Sequence, residues 1–222
     1  GSCMCNGSDN IAIGNQALLG SSTVSNNSGA VNIVIGKEAG YNMTSGGCNT
    51  IVGCKSGYGM TSGANNTIFG KSAGRCLTTT NYNALFGVSA GIRMRGDYNV
   101  ALGANALEGS STASNNTGGC NIVIGKESGK DITSGSNNVF LGHEAAKGVT
   151  TGSCNVVIGY GATVSCATGK HQLAIGIGNS SWITGNSEFN VGIGTTNPNA
   201  VVTSGNTAKL SVGILSAYQL YG

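Results

Sequence analysis

Only 9% of this 222-residue chain is charged, 5% is aromatic, and one residue, Pro198, is proline. The shortage of charge sets the chain apart from disordered sequences, which combine low hydrophobicity with high net charge. Here 39% of residues are apolar and the net charge is +3. The lack of proline excludes collagen, and the 39 glycines do not recur at every third position. No run of about 18 apolar residues occurs, so no membrane span is expected in this chain. Lysine and arginine are scattered singly apart from Arg93-Met-Arg95. That leaves no basic stripe, and no nucleic-acid partner is expected. The first residues lack a charged start followed by an apolar stretch, so no signal peptide is expected.

What the chain has instead is repetition. An amide, three mostly apolar residues and a glycine return ten times. The amides are Asn10, Asn32, Asn49, Asn66, Asn83, Asn99, Asn121, Asn138, Asn155 and finally Gln172. The glycines are Gly14, Gly36, Gly53, Gly70, Gly87, Gly103, Gly125, Gly142, Gly159 and Gly176. Repetition at this period predicts a solenoid, in which each unit buries its apolar face against its neighbours. The glycines are spaced 22, 17, 17, 17, 16, 22, 17, 17 and 17 residues apart, so a five-unit block returns after 89 residues.

With the motif glycine as position 0, position −1 is always large and apolar, and position −2 is always apolar. Neighbouring strand residues point to opposite faces. One face fills the coil, and the other needs a cover. No helix-period segment is available to cover it, so the cover is expected to be further copies of the chain. Position +3 is small (Ala17, Ala39, Ser56, Ala73) and position +4 is often glycine, which suits a tight corner. Thr44-Ser-Gly46, Thr61-Ser-Gly63, Thr133-Ser-Gly135 and Thr150-Thr-Gly152 read as turns. Each coil is predicted as two short strands and two turns. About ten coils stacked at ~4.8 Å make a rod on the order of 50 Å long. The asparagines at −4 are expected to form a hydrogen-bonded amide ladder, as stacked amides do in cross-β assemblies. The rhythm breaks after Gly176, so residues 1–180 are read as the repeat shaft and 181–222 as a C-terminal β module.

The eight cysteines do not land on one another under the 89-residue shift. Most of them are read as small, largely buried or semi-buried thiols, not as a disulfide or metal framework. The longer intervals insert loops at Ser21–Asn27 and Ser110–Asn116, which are tolerated insertions or contact surfaces.

The Asn-x-x-x-Gly-x-x-Ala pattern, as in Asn32 to Ala39, resembles the head repeats of trimeric autotransporter adhesins, over about residues 6–180. That family's heads are trimers of left-handed parallel β-rolls, with repeats typically shorter than 17 residues. The same style of repeat is similar to viral and phage tail-fibre shafts. Gly192-Ile-Gly-Thr-Thr-Asn-Pro198 resembles a segment that in many fibres precedes a C-terminal chaperone domain. There a Lys-Leu-x-Val strand usually follows at once, whereas here Ala208-Lys-Leu-Ser-Val212 follows an insertion from Val201 to Thr207. The resemblance implies an all-β, intertwined homotrimeric parallel β-solenoid.

Chemical motifs are weak. Gly70-Lys-Ser72 lacks the earlier glycine of a phosphate loop, since position 65 is asparagine. His143 and His171 have no triad or ligand partners in the sequence. No catalytic, cofactor or metal residues are expected, although two acids from different coils would suffice for a glycan-cleaving site. Thr44, Thr61, Thr78, Thr133 and Thr150 share one coil position, the minimum for an ice-binding ladder. The leading expectation is a structural and adhesive fibre on a virion. Its partners would be copies of itself, other virion or tail proteins, and a host cell-surface glycan or protein. A bacterial surface adhesin is the alternative.

Overall fold

The computed structural model describes residues 7–22, 26–194, 198 and 210–212. Among these there is no α-helix, and thirteen strands follow one another in a single sheet in chain order. The repeat strands are β1 (Ile11–Ile13), β2 (Ile33–Ile35), β3 (Thr50–Val52), β4 (Thr67–Phe69) and β5 (Ala84–Phe86). They continue as β6 (Val100–Leu102), β7 (Ile122–Ile124), β8 (Val139–Leu141), β9 (Val156–Ile158) and β10 (Leu173–Ile177). Each is parallel to the next with motif positions in register, so Ile51 sits between Val34 and Ile68. The chain is a parallel β-solenoid.

The coil differs from the expected two strands and two turns. Each holds one three-residue strand, and the return path is made of turns. The backbone explains why. Position −5 before every repeat strand has φ between 54° and 59°, from Asp9 to His171. Positions +2 and +4 are also left-handed, as at Glu38 (56°) and Gly40 (54°) or Asn105 (55°) and Leu107 (54°). Left-handed residues turn the chain and cannot extend a strand. Eight coils, those beginning at Gly14 through Gly142, carry both the +2 and the +4 corner. The stretch after Gly159 has only the first. The full turns therefore number eight rather than the ten expected, although the ladder has ten strands.

The core is thin and runs the length of the solenoid. The −2 side chain points inward, as with Val34, Ile51, Ile68 and Leu85, all essentially inaccessible. It meets the +3 residue and a large residue from the return arm, such as Met43, Met60, Leu77, Met94 or Ile132. Glycine at +4 makes room for the −2 chain, since a Cβ on Gly129 would lie 3.0 Å from the Phe140 ring. Where −2 is only alanine, as at Ala12 and Ala101, the +4 residue is Leu18 or Leu107, which fills the space from the other side.

Backbone bonds join the coils at the corners as well as the strands. The Glu38 N–H donates to the Asn15 carbonyl, Gly40 to Ser56, and Thr44 to Thr61. Beside them runs the amide column. The Asn49 Oδ1 accepts from both the N–H (2.9 Å) and the Nδ2 (3.0 Å) of Asn66. The Asn66 Oδ1 accepts the same pair from Asn83, at 3.0 and 3.1 Å. Except at Asn83, whose Nδ2 turns to the Asn81 carbonyl, an amide hydrogen crosses each coil, as when Asn66 Nδ2 donates to the Thr80 carbonyl at 2.8 Å. Gln172 ends the ladder by its backbone alone, donating to Asn155 Oδ1 at 2.8 Å. Its longer side chain turns instead to the Cys166 carbonyl.

Thr80 occupies a column held by Gly46, Gly63, Gly135 and Gly152 in other coils. It is 3% exposed, and its hydroxyl finds no partner among the described residues. A buried hydroxyl without a partner costs about 1–3 kcal/mol. Thr80→Val is therefore expected to raise stability by about 1 kcal/mol, seen as a higher urea midpoint with an unchanged slope.

The sheet does not stop at the expected module boundary. β11 (Ser180–Gly185) turns back antiparallel to β10, with a register shift at Ile175/Gly176. β12 (Val191–Ile193) is antiparallel to β11, and β13 (Leu210–Val212) is parallel to β12. The expectations on Cys3, Cys5 and the Val201 to Thr207 insertion lie outside the described residues.

Candidate functional site

The strand pleat sends −2 inward and both −3 and −1 outward. Twenty outward positions on β1–β10 form two columns, and eighteen are Ala, Val, Ile, Leu or Phe. Thr50 and Thr67 are the exceptions, and none is charged. Ile13 is 57% exposed, Leu102 48% and Phe86 37%. Phe69 and Phe86 stack at 5.4 Å between ring centroids. The face continues past the reversal of direction, because Ile183 pairs with Ile175 and with Ile193. Isolated exposed apolar side chains are ordinary, but an apolar surface of this length, interrupted only by Thr50 and Thr67, marks a contact surface.

The corners flanking this face carry different chemistry. In the −5 column Tyr82 and Tyr98 stack at 5.0 Å, more than half exposed. Tyr41 and Tyr58 stack at 4.9 Å, with Arg75 over the Tyr58 ring. Cys48, Cys120 and Cys154 also lie in the −5 column, and they are exposed, as is Cys166; Cys54 and Cys76 are half-buried. The expectation of largely buried thiols is corrected for these four; for Cys48, Cys120 and Cys154 the reason is that the −5 corner points its side chain to solvent. The six cysteines among the described residues are all free.

The corner after the motif glycine, from +1 to +6, holds a ladder of ion pairs. Glu108 meets Arg93 at 2.5 Å and Lys130 at 3.8 Å. Lys147 donates to Glu144 at 2.7 Å and lies 3.5 Å from Glu127. That bond holds the Glu144 carboxyl below its ordinary value and the Lys147 ammonium above it. Partial desolvation pushes Glu127 up, but Lys130, Lys147 and Lys126 outweigh it and leave it lowered. Solvated pairs of this kind contribute little to stability.

Both inserted loops are closed by the same clasp. The Ser21 N–H donates to Asn27 Oδ1 at 2.8 Å, and Ser110 to Asn116 Oδ1 at 3.0 Å. Asn27 and Asn116 are fully buried, and each Nδ2 returns to the carbonyl of the same serine. Residues 23–25 of the first loop lie outside the described set. In the threonine column, Thr44, Thr61 and Thr133 donate their hydroxyls to the next coil's carbonyl at 3.2–3.3 Å. Those donors are committed within the solenoid.

The structure does not gather the weak chemical motifs. Ser72 of Gly70-Lys-Ser72 sits in the +2 corner at φ 58°, like Glu38 and Lys55 in theirs. His143 stacks on Tyr160 at 5.2 Å and His171 on Phe189 at 6.1 Å. Among the described residues no three His, Cys, Asp or Glu side chains cluster to hold a metal ion, and no helix is long and apolar enough to cross a membrane. Comparison with protein-family models, with curated proteins and with solved structures finds no match to this chain.

Proposed function

We propose that the chain is the trimeric shaft or spike of a virus or phage fibre, which displays host-attachment surfaces at a distance from the particle. The single supporting observation is the uncharged outer face of the sheet, open in one copy across all ten repeat strands. An apolar ribbon of that length in water promotes association. Three copies turned inward around one axis hide it and leave the corners and inserted loops outside. Attachment then works by avidity, since three identical surfaces on one rigid rod raise the effective concentration of weak contacts. The ligand of such a fibre is a host cell-surface glycan or protein. Other virion or tail proteins hold its base. A bacterial trimeric adhesin head uses the same repeat style. The sequence downstream of Gly222, a chaperone domain or a membrane anchor, separates the two readings.

Sedimentation equilibrium is the direct test. The expected particle has three times the chain mass across the micromolar range, and Ile124→Lys at the centre of the face reduces it to one chain. A folded, soluble single copy of the unmodified chain at those concentrations overturns the reading.

A further inference from the structure

The fold gathers cations that the sequence scatters. Lys37 and Lys71 stand at +1, Lys55 at +2 and Arg75 at +5, on the coils of β2, β3 and β4. Ion pairs in the later block show that these three columns converge on one corner. There Lys126 (+1) lies 3.9 Å from Glu127 (+2), and Lys130 (+5) lies 3.6 Å from it. Coils repeat at ~4.8 Å, so Lys37 and Lys71 leave the backbone about 10 Å apart.

The two blocks fill this corner differently. Under the 89-residue shift Lys126 and Glu127 correspond to Lys37 and Glu38, but Glu144 corresponds to Lys55, Tyr160 to Lys71 and Val164 to Arg75. In the later block Lys126, Lys130 and Lys147 each lie 3.9 Å or less from a glutamate. In the earlier block Glu38 is alone, 3.7 Å from Lys37 and 3.5 Å from Lys55. Lys71 and Arg75 meet no carboxylate among the described residues. Four cations against one acid leave +3 at this corner, which is the whole net charge of the chain. Stacked like charges repel, and the later block shows that the same columns accept a balanced set. The stability of the solenoid gives no reason for the imbalance, whereas an anionic partner does. Tyr41 and Tyr58 stand beside these cations, stacked at 4.9 Å, with Arg75 over Tyr58 from the following coil. Neither hydroxyl has a partner among the described residues.

We propose, resting on the reading of the corners as attachment surfaces, that this corner binds an acidic polysaccharide of the host surface. Anionic groups on successive sugars meet Lys37, Lys55 and Lys71, and the two tyrosine hydroxyls donate to sugar oxygens. Lysine suits the task, because a flexible point charge follows an anion without demanding one fixed geometry. Nucleic acid fits the corner less well. Salt-sensitive binding to a duplex draws on about 6–10 phosphate contacts, more than four cations supply. Single strands stack their bases on open aromatic faces, and Tyr58 lies between Tyr41 and Arg75.

The test measures binding of the full chain to dextran sulfate, with unsubstituted dextran as the neutral match. The sulfated polymer is expected to bind and the neutral one not. Affinity is expected to fall about tenfold or more between about 50 and 200 mM salt. Lys37→Glu with Lys71→Glu is expected to weaken binding about tenfold or more. Arg95→Glu with Lys170→Glu changes the net charge equally at two exposed cations elsewhere and is expected to stay within about twofold. Equal losses in the two pairs mean attraction by net charge alone and overturn the site. Equal or tighter binding of a single-stranded oligonucleotide or of poly-glutamate, at matched charge, overturns the choice of a polysaccharide. No binding of dextran sulfate by the unmodified chain overturns the proposal, while sedimentation decides the trimer reading separately. Lys37→Gln with Lys71→Gln, against Arg95→Gln with Lys170→Gln, repeats the comparison if a charge reversal does not fold.

Discussion

Gly53→Ala is expected to cost about 3 kcal/mol or more and to split the unfolding of the solenoid. Two independent constraints act at this residue. Its φ is +134°, and a Cβ there would lie 2.5 Å from the Gly70 carbonyl oxygen, in the next coil. That oxygen is backbone and cannot rotate away. Relief requires the coils to separate, which also stretches the bond from Gly70 N–H to the Val52 carbonyl (2.8 Å). Coils are held only by their neighbours, so a separated pair leaves two shorter stacks that melt independently. A broadened urea transition with a lower midpoint is the signature. Gly148 is the control. Its φ is +89°, but nothing lies within 4 Å of a Cβ there, so Gly148→Ala meets only the backbone penalty, about 1 kcal/mol. Equal losses at the two sites would remove the close-approach argument.

Asn66→Ala is expected to lose about 3–5 kcal/mol, measured by the same unfolding experiment. Asn66 is 1% exposed. Its removal strands the Asn83 N–H and the Thr80 carbonyl, both otherwise paired through this amide. Each buried group left unpaired costs about 1–3 kcal/mol. Asn66→Asp keeps the acceptor but puts an oxygen where Nδ2 now faces the Ala64 and Thr80 carbonyls. A carboxylate there is buried beside two acceptors, so its folded-state pKa is raised. The variant is then least stable above that pKa and recovers as pH falls and the acid becomes a donor. Asn10→Ala, at the less buried end of the ladder, is expected to cost much less. A loss at Asn10 as large as at Asn66 would show that the ladder carries no cooperative weight.

The repeat made much of this legible in advance. The amide and glycine columns, the parallel stack, and an outer apolar face opposite the inner one all follow from the identities at −4 to 0. Ten in-phase copies average out local ambiguity. The turns were less legible. Position −5 is Asp, Val, Cys, Asn, Tyr or His in different coils, yet it adopts one left-handed conformation. Residue identity carries no such signal, since valine and tyrosine do not choose that conformation alone. For the same reason the second strand expected in each coil is absent, and Cys48, Cys120 and Cys154 lie outside. Position −5 is a corner, and a corner exposes whatever side chain it holds.

The sequence alone determined a solenoid, its period and its internal duplication, because periodic apolar burial is a property of the order of residues. Tertiary structure decided the sense of each corner, the exposure of each thiol, and which two columns share the uncovered face. Those depend on coil-to-coil hydrogen bonds that pull residues into conformations their own propensities disfavour.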